Sequence, residues 1–177
     1  PWALKMPLGH IVDLAWRWKS LLVFLGAALI AASLGIMLGL LSAPSSMAQY
    51  MNVEAWFVLS ALLSPLGYVI QDVVADAMTV EAVPTGDDAG QPYDEHTIKL
   101  MHTTMQTLGR VAIIGGGIAV SLVNILMFRA AGDFTEALKA AVYIDIYKLA
   151  MIIPAISVLG VVLAALLKRL RAHTLRH

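Results

Sequence analysis

Leu21–Ala43 is a run of 23 residues without one charged side chain. As a helix it reaches about 34 Å, enough to cross the roughly 30 Å hydrocarbon core of a bilayer. Three more long apolar runs follow. Ala55–Val80 carries Asp72 and Asp76, Met101–Phe128 is interrupted by Arg110, and Tyr143–Leu167 holds Asp145 and Lys148 near one end. Pro1–Leu14 is apolar too, but short of a full crossing, and reads as the second half of a helix. The expected architecture is therefore an all-α membrane protein with one partial span (1–14) and four complete ones (21–43, 55–80, 101–128 and 143–167), a single transmembrane unit over 1–177. Composition agrees. Of 177 residues 59% are hydrophobic and 14% charged, against about 45–50% and about 25% in soluble domains.

Other classes drop out by the same arithmetic. Twelve basic and twelve acidic residues cancel, so no nucleic-acid partner is indicated. With no Cys there is neither a disulfide framework nor a thiolate metal site. The chain opens at Pro1 directly into apolar sequence, with no charged n-region and no cleavage site, so it reads as an internal piece of a longer protein without a signal peptide.

Polar, turn-rich segments separate the runs: Ala15–Ser20, Pro44–Glu54, the acidic Pro84–His96, Arg129–Ala141 and a basic tail from Leu170 to His177. Lys and Arg cluster on the side of the first, third and last of these, with Arg17, Lys19, Lys99, Lys168, Arg169, Arg171 and Arg176. The opposite side has Arg129 and Lys139, with Lys148 just inside the span. The positive-inside rule makes the first side cytoplasmic; the acidic loop does not oppose this, because Asp and Glu weigh little in it.

A charge near mid-bilayer costs a few kcal/mol on insertion scales and is rare without a reason. Here there are four: Lys5, Asp72, Asp76 and Arg110. Helical rise puts Lys5 and Asp72 about 12 Å and Arg110 about 16 Å from the cytoplasmic end of their helices, in one layer, with Asp76 half as deep as Asp72. Their formal charges sum to zero, which favours a shared cluster. Tyr68, Asp72, Asp76 and Thr79 lie on one helical face. Thr103, Thr107, Arg110, Ile114, Gly117, Ser121 and Asn124 form a second stripe, mostly polar or small, expected to face protein or a water-filled cavity.

Two readings of these charges compete. One is a structural ion-pair network that ties helices together. The other is a solute or proton site. Two carboxylates about one turn apart repel, and taking up a proton relieves the repulsion. Arg110 and Lys5 suit an anion, since Arg grips a carboxylate with two parallel hydrogen bonds.

Three segments carry a resemblance. Gly9-His10-Ile11-Val12-Asp13, followed by Arg17 and Lys19, resembles the signature between helices two and three of the major facilitator superfamily. Pro1-Trp2-Ala3-Leu4-Lys5 and Asp72-Val73-Val74-Ala75-Asp76-Ala77, with Glu81 beyond, resemble the folate–biopterin transporter branch of that superfamily, and Arg110 matches an Arg of its helix five. The resemblance covers most of the chain as helices two to six of a 12-helix fold, the partial N-terminal half. Met6 departs from it, because the branch tends to have Pro directly after the Lys. It implies a secondary active transporter for a small anionic organic solute of the folate or pterin kind; the paired carboxylates Asp72 and Asp76 make protons the candidate coupling ion. Lys5, Asp72, Asp76 and Arg110 are then the solute and ion-coupling residues, and Gly9, Asp13 and Arg17 a conformational latch. The implied partners are solute, proton, bilayer and the C-terminal half of the same chain, and the implied location is the cytoplasmic membrane. The alternative is a non-transporting scaffold of the same fold, such as an assembly factor for pigment–protein complexes.

Enzyme chemistry finds no foothold. No Gly-rich phosphate loop and no Ser–His–Asp set is visible, and His96 and His102 are six apart and off one helical face, so no metal and no cofactor is expected. Gly115–Gly117 points to close helix packing. Pro65 and Pro154 are candidate kinks, and Trp16, Trp18, Tyr50 and Trp56 candidate interfacial anchors.

Overall fold

The computed structural model describes residues 5–14, 16–87, 90–129 and 135–174, apart from the side chains of 5, 8, 11–13, 16, 136–137 and 168–174. It is 88% helical, with no strand among the described residues. The helices are α1 (Lys5–Leu14), α2 (Lys19–Ser42), α3 (Pro44–Ala48), α4 (Val53–Glu81), α5 (Glu95–Arg129), α6 (Glu136–Ala150) and α7 (Ile152–Thr174), with a 3₁₀ turn at Trp16–Trp18 before α2. Four segments are long and apolar enough to cross a membrane: α2, α4, α5, and the pair α6–α7 over Leu138–Leu167. That is the make-up of a multi-pass membrane protein.

Local chemistry sets the helix ends. α2 stops at Ser42 because Pro44 disfavours helical backbone at Ala43, which sits at φ −147° and ψ 60°. The same Pro44 then opens α3 at a first-turn position, where its missing N–H costs nothing. The segment expected as a loop over Pro44–Glu54 thus holds a helical turn, pinned by the Trp56 indole N–H donating to the Met47 carbonyl at 3.0 Å. Asn52 caps α4, its Oδ1 accepting from Ala55 N–H at 2.8 Å. Thr135 caps α6, accepting from Leu138 N–H at 3.4 Å, so helix begins well before the expected span start at Tyr143. At the far end α7 runs on to Thr174, where a non-helical basic tail from Leu170 was expected.

The two intrahelical prolines behave differently. Pro65 lies within an unbroken α4. Pro154 stands just past an interruption at Met151, whose N–H is shared between the carbonyls of Tyr147 and Lys148 at 3.2 Å each. Pro154 has no N–H to give the Ala150 carbonyl, so the ladder loses one bond there, while Met151 itself keeps helical dihedrals, φ −62° and ψ −17°.

The acidic connection between α4 and α5 is a small hairpin. Asp87 N–H donates to Gln91 O at 2.9 Å and Tyr93 N–H to Thr85 O at 3.0 Å. Pro92 pairs with Gly86 in the isolated bridge, at a position where no N–H is needed. Gly90, at φ 79°, adopts the left-handed backbone that other residues avoid. Asp94 then caps α5, its Oδ2 accepting from Thr97 N–H at 3.4 Å. Hydrogen bonding from the Thr97 side chain first, and from its backbone N–H in addition, holds the Asp94 carboxyl below its usual range.

The chain forms two compact units. One comprises 1–74 and 134–177, the other 75–133, with the boundary inside α4. In the first unit α2 is central. It packs against α6 and α7, and it meets α4 along a seam of small residues. Ser33 Oγ donates to Ser60 O at 2.9 Å, Ser60 Oγ donates to Ser33 O at 3.0 Å, and the two hydroxyls lie 3.0 Å apart. Two turns along, a Cβ on Gly67 would fall 2.6 Å from the Gly26 carbonyl oxygen. Further still, the Gln71 side-chain amide donates to Val23 O at 3.4 Å. Residue numbers rise along α2 as they fall along α4, so the helices are antiparallel, and small residues seven apart on each let the backbones approach. The second unit holds the end of α4, the hairpin and α5. No described side chain of α5 is buried.

Candidate functional site

The charged residues fall on four-residue steps of α4 and in the middle of α5. Asp72 is half-buried and stands in the best-packed stretch of α4, between Gln71 and the buried Val73 and Val74, at 6% and 0% exposure. The seam explains the shelter. Gln71 is drawn toward α2 by its bond to Val23 O, and its Cγ lies where a Cβ on Gly26 would be, 2.6 Å away. Asp76, one turn on, is exposed. Thr79, from the same expected face, donates its hydroxyl to the Asp76 backbone carbonyl at 2.6 Å, and Tyr68 is exposed.

Arg110 is exposed on α5. The polar members of its stripe satisfy themselves. Thr103, Thr107 and Ser121 donate to the carbonyls four residues back, at 2.8–2.9 Å, and the Asn124 amide to Val120 O at 3.0 Å. Hydroxyls bonded in this way lose little by facing lipid. A Cβ on Gly115, Gly116 or Gly117 would meet nothing within 4 Å, so within the described residues these glycines make no close helix contact.

Lys5 begins α1, but its side chain lies outside the described residues, as does that of Asp13. Asp72 belongs to the first compact unit, and Asp76 and Arg110 to the second. The common layer of Lys5, Asp72 and Arg110 therefore stays an expectation from helical rise. Of the latch residues, Arg17 is exposed in the 3₁₀ turn, and Gly9 is half-buried with open space where a Cβ would be. Asp145 and Lys148 pair with each other at 3.2 Å across one turn of α6. Among the described residues no group of three or more His, Asp or Glu could hold a metal ion.

Sequence reasoning passed over the seam beside Asp72. Gly26, Ser33, Ser60, Gly67 and Gln71 were read only as parts of two apolar runs. The available signal was the seven-residue spacing of Gly26 and Ser33 on one helix and of Ser60 and Gly67 on the next. Comparison of the chain with family models, curated proteins and solved structures gives no match.

Proposed function

We propose that this chain is part of a secondary active transporter of the major facilitator type, resident in the cytoplasmic membrane. In this reading it moves a small anionic organic solute, of the folate or pterin class, together with protons. The observation that carries the proposal is Asp72, an acidic side chain kept half-buried within a helix long and apolar enough to cross a membrane. An ionisable group at that depth is costly, and in membrane proteins such groups mark solute and ion paths. Asp72 and Asp76 would take and release the coupling proton. Arg110 and Lys5 would hold the anion, and Gly9, Asp13 and Arg17 would latch the cytoplasmic side. Transport would follow from rocking of this half against a second one around a midplane site. The family assignment rests on the resemblance of the three segments quoted above.

The exposure of α5 favours a second reading. A 35-residue helix with no buried side chain offers a long face to another protein. In a non-transporting scaffold that face would bind a membrane complex, such as a pigment–protein assembly, and the charges would be structural. The two readings separate in one preparation. Cells expressing the protein are assayed for uptake of labelled folate or pterin with and without a protonophore, and the purified protein is examined for a stoichiometric membrane complex. Protonophore-sensitive uptake supports the carrier. Absence of uptake together with a stable complex supports the scaffold and removes the carrier.

A further inference from the structure

The first compact unit joins a locked helix pair to a helix whose hydrogen-bond ladder is weakened at one turn. The lock is the α2–α4 seam. Ser33 and Ser60 are buried at 4% and 3% exposure and bond to each other's carbonyls. Gly26 and Gly67 bring the two backbones so close that a Cβ on either would meet a backbone oxygen within 3 Å. Sliding or tilting these helices would break hydrogen bonds that lipid cannot replace. The weakened turn is at Met151, in the middle of the Leu138–Leu167 span. Its single N–H is divided between two carbonyls, and three residues on the buried Pro154 withholds the donor that the Ala150 carbonyl would take. Both halves of that span, α6 and α7, pack on α2. On α7, Gly160 has open space where a Cβ would be.

From this contrast we infer that Met151–Pro154 is a hinge within the fourth span. α7 changes its angle to α6 there, while α2 and the 53–74 part of α4 move as one body. The bend needs few backbone bonds to change, because Pro154 has already removed one and the Met151 N–H can settle on either of its two acceptors. The seam has no such slack. The inference stands on the weakened turn and the seam, whatever solute the protein handles, and its readout does not involve uptake.

This chain has no cysteine, so spin labels can be placed at introduced ones. One pair, Ala141→Cys and Leu163→Cys, spans the weakened turn on exposed positions of α6 and α7. The second, Leu21→Cys and Phe57→Cys, spans the seam on exposed positions of α2 and α4. Distances are measured by pulsed electron resonance on the protein in lipid nanodiscs. A hinge gives a broad or double-peaked distribution for the first pair and a single narrow peak for the second. Pro154→Ala, which restores the N–H, collapses the first distribution to one narrower peak at longer distance and leaves the second unchanged. The unchanged second pair also reports that the variant is folded. Equal widths for the two pairs, or a first distribution that Pro154→Ala does not alter, would overturn the hinge.

Discussion

The α2–α4 seam and α5 draw on the same small and polar residues and use them in opposite ways. In the seam Ser33 and Ser60 send their hydroxyls across to the neighbouring helix, and Gly26 and Gly67 touch backbone to backbone. On α5 Ser121 bonds to Gly117 of its own helix, and Gly115, Gly116 and Gly117 face open space. A glycine or serine in a membrane helix is thus not a contact by itself. It becomes one when its partner helix presents another small residue at the same level, as the seven-residue spacings of α2 and α4 arrange.

The largest effect is expected from filling the seam. Gly67→Leu puts carbon against the Gly26 carbonyl and Ile30, both held by helix backbone. It should destabilise the protein by about 3 kcal/mol or more, at the upper end for overpacking. Gly116→Leu on α5 meets nothing and should leave stability unchanged or raise it by up to about 1 kcal/mol, since Gly is a poor helix former. Unfolding in micelles, followed by loss of helical circular dichroism, measures both. Equal losses for the two would erase the contrast.

A smaller effect is expected from the serines. Ser33→Ala and Ser60→Ala should each cost about 0.6–1.7 kcal/mol, the range for hydrogen bonds between membrane helices. Their double-mutant cycle reads only the contact between the two hydroxyls, 3.0 Å apart, because the backbone carbonyls that accept from them remain in the Ala variants. Ser121→Ala, which loses only a bond to its own helix, should fall within about 0.5 kcal/mol of the parent. Additive behaviour of Ser33 and Ser60 would mean that the 3.0 Å contact between the two hydroxyls carries no energy, whereas unchanged stability in both single variants would mean that the bonds to the backbone carbonyls do not form.

The smallest effect concerns the start of α5. Thr97 holds the Asp94 carboxyl below its usual range in the folded protein. A group with a lowered folded value stabilises above its unfolded value, near about 3.9 for Asp, and loses that contribution as pH falls through the folded value. The first turn of α5 should therefore fray only in acid below about pH 4, read as faster amide exchange at Thr97 and Ile98. Asp94→Asn keeps a capping oxygen and should remove the acid step.

The spans were legible because a bilayer sets a length, and Leu21–Ala43 meets it without a charge. Of the two expected kinks only the one near Pro154 coincides with an interruption; Pro65 lacks its donor too, yet α4 runs on unbroken through it, so the missing donor alone does not decide. The hairpin at 85–93 was seen only as a polar connection. Gly90 and Pro92 signal turns, but nothing in their neighbours says that Asp87 pairs with Gln91. The seam was hidden because α2 is apolar all round, so no face stands out, and its register depends on α4. At the candidate site the sequence singles out Asp72, Asp76 and Arg110 as charges within long apolar runs, their common layer being an expectation from helical rise. It does not reveal that Gln71, next to Asp72, is held by Val23, because that contact crosses 48 positions.

In the proposed carrier, the charges inside these helices handle a solute and a proton. This is tested by uptake of labelled folate or pterin by Asp72→Asn and Arg110→Ala variants beside the parent, at matched membrane expression. Protonophore-sensitive uptake should fall to background in both. Parental uptake in both variants would contradict it and leave Asp72 and Arg110 as structural charges.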